Sequence, residues 1–234
     1  MTTTALVSGG KDSLYSAYLA ETQGMPVDEL LVLRPSDPDS LLFHTPNLSH
    51  VRLQAEAWGK RYREFAVEGT GEEEEAKALQ TALENDRGTV IAGAIASSFQ
   101  WARLHRVTFD LGRRLFTPLW RVDPEQVVRE EIAAGLDIRM VHLAAEPLGR
   151  SLLGRRLDVP LLEEISRLSR ELRKVNVAGE GGEYETLVVD APFFAQRIEI
   201  DVGEREEGGG AFRLNIRTAH LVPKTTAALP PKVN

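Results

Sequence analysis

Ala5-Leu6-Val7-Ser8-Gly9-Gly10-Lys11-Asp12-Ser13 joins a short apolar run to a segment with helical periodicity. The apolar residues read as a strand over 4–7. Leu14, Tyr15, Tyr18 and Leu19 mark one face of a helix over 12–23, which Gly24 stops. Two glycines in a strand-to-helix turn let the backbone approach a ligand closely. The helix start behind them offers unpaired N–H groups and a positive dipole end, a combination suited to phosphate. Ser8 and Ser13 add hydroxyls, Lys11 a cation, and Asp12 a carboxylate that suits Mg²⁺ bridging phosphate oxygens. An acid inside a phosphate cradle makes little sense without a metal. A plain glycine turn with Asp and Ser capping a helix has a similar composition.

The spelling separates these readings. A Walker A loop needs Gly at position 5 and Ser or Thr at position 12, where this chain has Ala5 and Asp12. The six residues instead resemble the S-G-G-x-D-S pyrophosphate loop of the PP-loop ATP-pyrophosphatases. That resemblance implies cleavage of ATP between the α and β phosphates, with adenylation of a substrate oxygen.

Working outward, strands over 30–33, 65–67 and 89–96 alternate with helices over 48–58, 72–83 and about 98–106. This βαβα rhythm predicts an α/β fold with a parallel sheet covered on both faces. Ligands gather at the carboxyl ends of such strands. The pattern changes near residue 120, where Pro118 and Pro124 flank Leu119-Trp120. Helices over 124–134 and 161–173 and strands over 138–143, 186–189, 197–202 and 212–219 then predict a smaller, mixed α/β region. The resulting division is 1–120, 121–222 and a poorly ordered tail over 223–234, with a flexible hairpin loop at 204–210.

At 234 residues the chain is long enough for a substantial core, and 42% hydrophobic with 27% charged content is ordinary for a globular protein. A net charge of −7 argues against broad nucleic-acid binding. The absence of cysteine excludes disulfides, thiolate metal sites and a cysteine nucleophile. No apolar stretch is long enough to span a membrane, so the expectation is a cytoplasmic protein. Composition leaves a homo-oligomer open.

Three further clusters stand out. Gly179-Glu180-Gly181-Gly182-Glu183-Tyr184-Glu185-Thr186 crowds carboxylates and glycines before the apolar Leu187-Val188-Val189. A solvated acidic turn has this composition, but so does a strand-end loop that holds a metal or an amine-bearing substrate. Ser97, Ser98, Gln100 and Arg103 follow a buried strand, positions that serve either helix capping or phosphate contact. His44-Thr45-Pro46-Asn47 lies in a long loop, and neither His50 nor His105 completes a metal-ligand spacing. The acidic run 72–75 reads as a solvated helix start.

Taken together, these segments resemble the diphthine–ammonia ligases of the PP-loop superfamily. The similar stretches also include T-P-L-W at 117–120, L-G-R at 153–155 and Asp190-Ala191-Pro192-Phe193. One match departs: the family carries Asp-Tyr where this chain has Ser98-Phe99. That removes a carboxylate beside the implied ATP pocket and bears on the substrate more than on the fold.

The resemblance implies an adenine-nucleotide alpha-hydrolase (HUP-like) core and a smaller C-terminal α/β region. It also implies ATP and Mg²⁺ as cofactors, with ammonia and a carboxylate such as diphthine on translation elongation factor 2 as partners. On it, Ser8, Gly9, Gly10, Lys11, Asp12, Ser13, Ser97, Gln100 and Arg103 would meet ATP, with the metal on Asp12. His44, Asn47, Glu180, Gly181, Gly182, Glu183, Tyr184 and Thr186 would meet substrate. Lys11, Asp12, Glu183 and Glu185 would carry the chemistry. A PP-loop enzyme acting on another small molecule or RNA, and a non-catalytic nucleotide binder, are the alternatives.

Overall fold

In the computed structural model, whose described residues are 2–35, 48–69, 71–85, 87–173, 175–208 and 210–224, the apolar run before the glycine turn is a central strand, β1 (Thr4–Leu6). Around it the first half builds α1 (Lys11–Thr22), β2 (Glu29–Pro35), α2 (Val51–Trp58), β3 (Arg61–Val67) and α3 (Glu72–Leu83). It continues with β4 (Thr89–Ile91), α4 (Ser98–Asp110) and β5 (Arg114–Phe116). The second half supplies α5 (Pro124–Ala133), β6 (Asp137–Leu143), α6 (Val159–Leu172), β7 (Tyr184–Asp190), β8 (Gln196–Gly208) and β9 (Ala211–Pro223).

The first five strands form a parallel sheet in the order β3-β2-β1-β4-β5, the α/β core that the alternating pattern predicts. The chain winds outward from β1 to β3, then returns to place β4 on the other side of β1. This reversal opens a crevice at the carboxyl ends of β1 and β4, the place where such sheets receive ligands. The loops after those two strands therefore flank one site.

β2 explains why both faces must be covered. Alternate side chains point to opposite faces, so Leu30 and Val32 join the core with α1 and α2. Leu31 and Leu33 pack instead with Leu79 and Leu83 of α3 and Val107 of α4. At the amino ends of the strands, buried Glu29 accepts hydrogen bonds from Thr4 Oγ1 (3.1 Å) and Arg63 Nη2 (2.7 Å).

The second half forms an antiparallel sheet in the order β7-β6-β9-β8. Val127 and Val128 of α5 and Leu161, Leu162 and Ile165 of α6 share one apolar core with α1 and α2. The parallel sheet is built from strands between Thr4 and Phe116 and the antiparallel sheet from strands between Asp137 and Pro223, over a common core.

Three expectations change. The strand expected over 89–96 ends at Ile91, because the chain turns there to pass Gly93 against the backbone of Asp12 and Ser13. The three-residue strand β5 was not expected; it is too short to show a period of two. The loop expected over 204–210 is mostly ladder: Arg205, Glu206 and Glu207 pair with Leu214, Arg213 and Phe212. A charged run can hold a strand because the ladder uses backbone groups, whatever the side chains. His44, Asn47 and the tail from Thr225 lie outside the described residues.

Candidate active site

α1 begins at Lys11, immediately after the glycine pair, and Gly10 is its cap residue. Gly9 takes a φ of 84°, a left-handed conformation open to glycine. Ser13 closes the turn: its Oγ donates to Gly10 O (3.1 Å) and accepts from Ser8 N (3.2 Å). The loop is then held from three directions. Gln54 of α2, fully buried, donates from Nε2 to Gly9 O (2.9 Å) and Val188 O (2.8 Å). β7 adds Val188 N to Gly9 O (3.1 Å), and Lys11 N donates to Thr186 Oγ1 (3.2 Å). Gly93, after β4, abuts the backbone itself: a Cβ there would lie 2.8 Å from Asp12 C and O and from Ser13 N.

The acid-and-glycine octet forms the facing wall, and its carboxylates divide the work. Glu180 Oε1 accepts from Ile95 N (3.0 Å) and Ala96 N (2.9 Å), tying the octet to the loop after β4. Glu183 turns inward, accepting from Asn176 N and Gly181 N, both at 2.9 Å. Glu185 faces the cavity, with His142 Nδ1 of β6 at 3.7 Å. Gly179 and Gly182 take φ of 77° and 81°. A Cβ on Gly179 would strike Tyr184 O at 2.8 Å. The Tyr184 hydroxyl donates to Val177 O (2.5 Å), and burial pushes its pKa well above the usual phenol value.

Lys11, Asp12 and Glu131 of α5 make a buried charge cluster. Lys11 Nζ lies 2.6 Å from Asp12 Oδ1 and 3.6 Å from Glu131 Oε2. Burial opposes the lysine's charge, but Asp12 and Glu131 outweigh it and raise its pKa. Burial, with the Asp12 charge beside it, raises the pKa of Glu131 well above the carboxylate range. The ammonium expected to reach for phosphate is thus held between two carboxyl groups.

Between the walls lies a cavity of about 180 Å³, room for a ligand rather than a single water. Its apolar lining includes Leu31, Leu33, Leu48 and Leu104 and suits a flat base. Its polar lining includes Ser8, Lys11, Asp12, Ser13, Glu180 and Glu185. Gln100 lines the cavity, while Ser97 caps α4 by accepting from Gln100 N (3.3 Å). Arg103 lies over the Phe99 ring, 4.4 Å from its centroid.

The structure thus brings the glycine loop over 8–13, Gln100 and the octet together. It adds Gln54, Glu131 and His142, which the motifs do not mention. Two of these left a trace in the sequence. Gln54 shares a helical stripe with Val51, Ala55 and Trp58, and Glu131 shares one with Val127 and Val128; a lone polar residue on an apolar stripe is the signal.

Sequence profiles of the diphthamide synthase N-terminal and C-terminal domains match residues 1–115 and 123–222. The diphthine–ammonia ligase of Danio rerio is 31% identical over 87% of this chain and 88% of its own length. That of Homo sapiens is 31% identical over 87% and 84%. The Schizosaccharomyces pombe ligase is 30% identical over 83% of this chain, which spans 35% of that longer protein. Among solved structures, a chain described as a predicted subunit of tRNA methyltransferase from Methanocaldococcus jannaschii overlays with a TM-score of 0.44 at 13% identity. The overlay covers 82% of this chain and 98% of that one.

Proposed function

The chain belongs to the diphthine–ammonia ligase family, a family of ATP-dependent C–N ligases, and from that premise we propose that it amidates the carboxylate of diphthine on a protein substrate by way of an acyl adenylate. The substrate carboxylate oxygen attacks the α-phosphorus of ATP, the bond to the β-phosphate oxygen breaks, and pyrophosphate leaves. Ammonia then attacks the acyl carbon, AMP departs with the electrons of the C–O bond, and the surplus proton on nitrogen passes to a base. Such chemistry calls for positioning and charge neutralisation rather than a protein nucleophile.

The observation that carries this reading is the pair of bonds from Lys11 N to Thr186 Oγ1 and from Val188 N to Gly9 O. They make the phosphate loop and the octet two walls of one cavity. Residues 8–13 receive the phosphates, and the leucine lining receives adenine. Gln100 and the helix start capped by Ser97 border the nucleotide, with Arg103 one turn further along α4. Glu185 is the acceptor for the ammonium proton. Glu183 serves by shaping the loop, since both its oxygens accept from backbone amides.

The residues fit a Mg²⁺ that arrives on the phosphates. Asp12 opens to the cavity with 29% of its side chain exposed. Among the described residues no three acids or histidines gather as a self-sufficient metal cage. One or two carboxylates plus phosphate oxygens is how Mg²⁺ is usually held. Bound there, the ion would neutralise charge on the departing pyrophosphate. Incubation with ATP, Mg²⁺, ammonia and a diphthine-bearing elongation factor tests the proposal. AMP, pyrophosphate and an amide are expected. ADP overturns the reading, and nucleotide binding without turnover favours a binding protein instead.

A further inference from the structure

Glu131 stands outside the steps just described, yet it lies at their centre. Its carboxylate reaches the phosphate loop from α5 in the second half of the chain, with no exposed side-chain surface. Among the described residues neither of its oxygens has a hydrogen-bond partner. A carboxylate stripped of water and of donors is costly to keep. The cation beside it, Lys11 Nζ, is 3.6 Å away and makes its short contact with Asp12 instead, at 2.6 Å. A single ammonium, itself 1% exposed, therefore stands between two carboxyl groups and closer to that of Asp12. Of the three groups, Asp12 alone has substantial exposed side-chain surface, 29% against 1% for Lys11 and none for Glu131.

We propose that Glu131 is a second seat for the Lys11 ammonium: when Asp12 turns to a divalent cation arriving with ATP, Lys11 moves its ion pair from Asp12 to Glu131. The inference rests on the reading of Asp12 as that cation's ligand. A lysine ammonium is a compact charge with rotatable donors on a flexible stem, so a shift of about an ångström needs no backbone motion. Without the second seat, lysine and metal compete for one carboxylate, and a metal on Asp12 leaves a buried ammonium unpaired. Glu131 removes that conflict and acts as a positioning residue through Lys11.

Calorimetric titration of Mg²⁺ into the protein holding α,β-methylene ATP, which resists cleavage, tests the proposal beside a titration of the analogue alone in EDTA. Glu131→Gln keeps the volume and removes the carboxyl group that would take up the ammonium. It is expected to bind Mg²⁺ roughly tenfold or more weakly, the size usual for losing a group that orients a metal ligand, at unchanged metal-free affinity for the analogue. Glu131→Met is the second variant, with melting temperature followed for both. The double variant Lys11→Met/Glu131→Met removes the competing cation together with its seat and is expected to regain most of the lost metal affinity. A packing role alone predicts no such rescue. Unchanged Mg²⁺ affinity in Glu131→Gln, or an equal loss with and without metal, overturns the inference. Failure of the unaltered protein to bind analogue and metal at all overturns the ATP-site reading instead, so the two failures are distinct.

Discussion

Gly93 has no room for a methyl group. Any Cβ there meets the Asp12 and Ser13 backbone at 2.8 Å, and backbone cannot step aside as a flexible side chain would. Gly93→Ala is therefore expected to lower stability by about 1–3 kcal/mol, the usual penalty of overpacking. It should also displace the phosphate loop, seen as weakened ATP binding in calorimetry. Glu183 and Glu185 differ in kind although the sequence presents them alike. Glu183→Gln sets an amide NH₂ against one of two backbone N–H donors, a mismatch of about 1–3 kcal/mol. Steady-state kinetics should then show a lower kcat with the KM for ammonia unchanged. Glu185→Gln removes the carboxylate that faces the cavity, and the KM for ammonia is expected to rise. A matching rise in Glu183→Gln would show that this division of labour is wrong.

At the level of elements, β2 and β3 are joined by an ion pair whose pH dependence is fixed by its sign. Hydrogen bonds from Arg34 (Nε to Oε1, 2.6 Å), then from the Tyr62 hydroxyl, hold Glu64 down at a pKa of about 2. A carboxylate depressed in the folded state contributes its stability above the unfolded value of 4.5 and loses it as pH falls toward 2. Both side chains are more than a third exposed, so solvent screening limits the effect to about 0.5 kcal/mol. Urea unfolding of Glu64→Gln should sit that far below the parent at pH 7, with the gap closing between pH 4.5 and 2. Elements such as β2 were legible in the sequence because a continuous apolar run is what a strand buried on both faces requires. β4 was over-read for the same reason: its apolar run continues past Ile91, and nothing in the side chains signals the turn that Gly93 makes against α1. The site was legible in its motifs and not in its ties. Glu180 and Glu183 bind backbone amides of Ile95, Ala96, Asn176 and Gly181, and such donors carry no residue signature.

Across the whole molecule, the two sheets share their core, and the cavity depends on that union. Phe193, after β7, lies between Tyr18 of α1 (4.8 Å between ring centroids) and Trp58 of α2 (4.2 Å). Leu14, Val51, Leu161 and Leu187 belong to one continuous apolar cluster. Cutting at residue 120 would expose that surface on both fragments. It would also strip Gly9 O of the Val188 amide and Lys11 of Glu131. The full chain is therefore expected to unfold in one cooperative transition, with calorimetric and van't Hoff enthalpies equal. Fragments 1–120 and 121–222 made separately should show no cooperative melt, and the first should not bind ATP although it holds every residue of the phosphate loop. Two resolved transitions in the intact chain, or ATP binding by the isolated first fragment, would show that the loop is preformed without β7. The expected result makes the loop a product of the second half of the chain as much as of its own spelling.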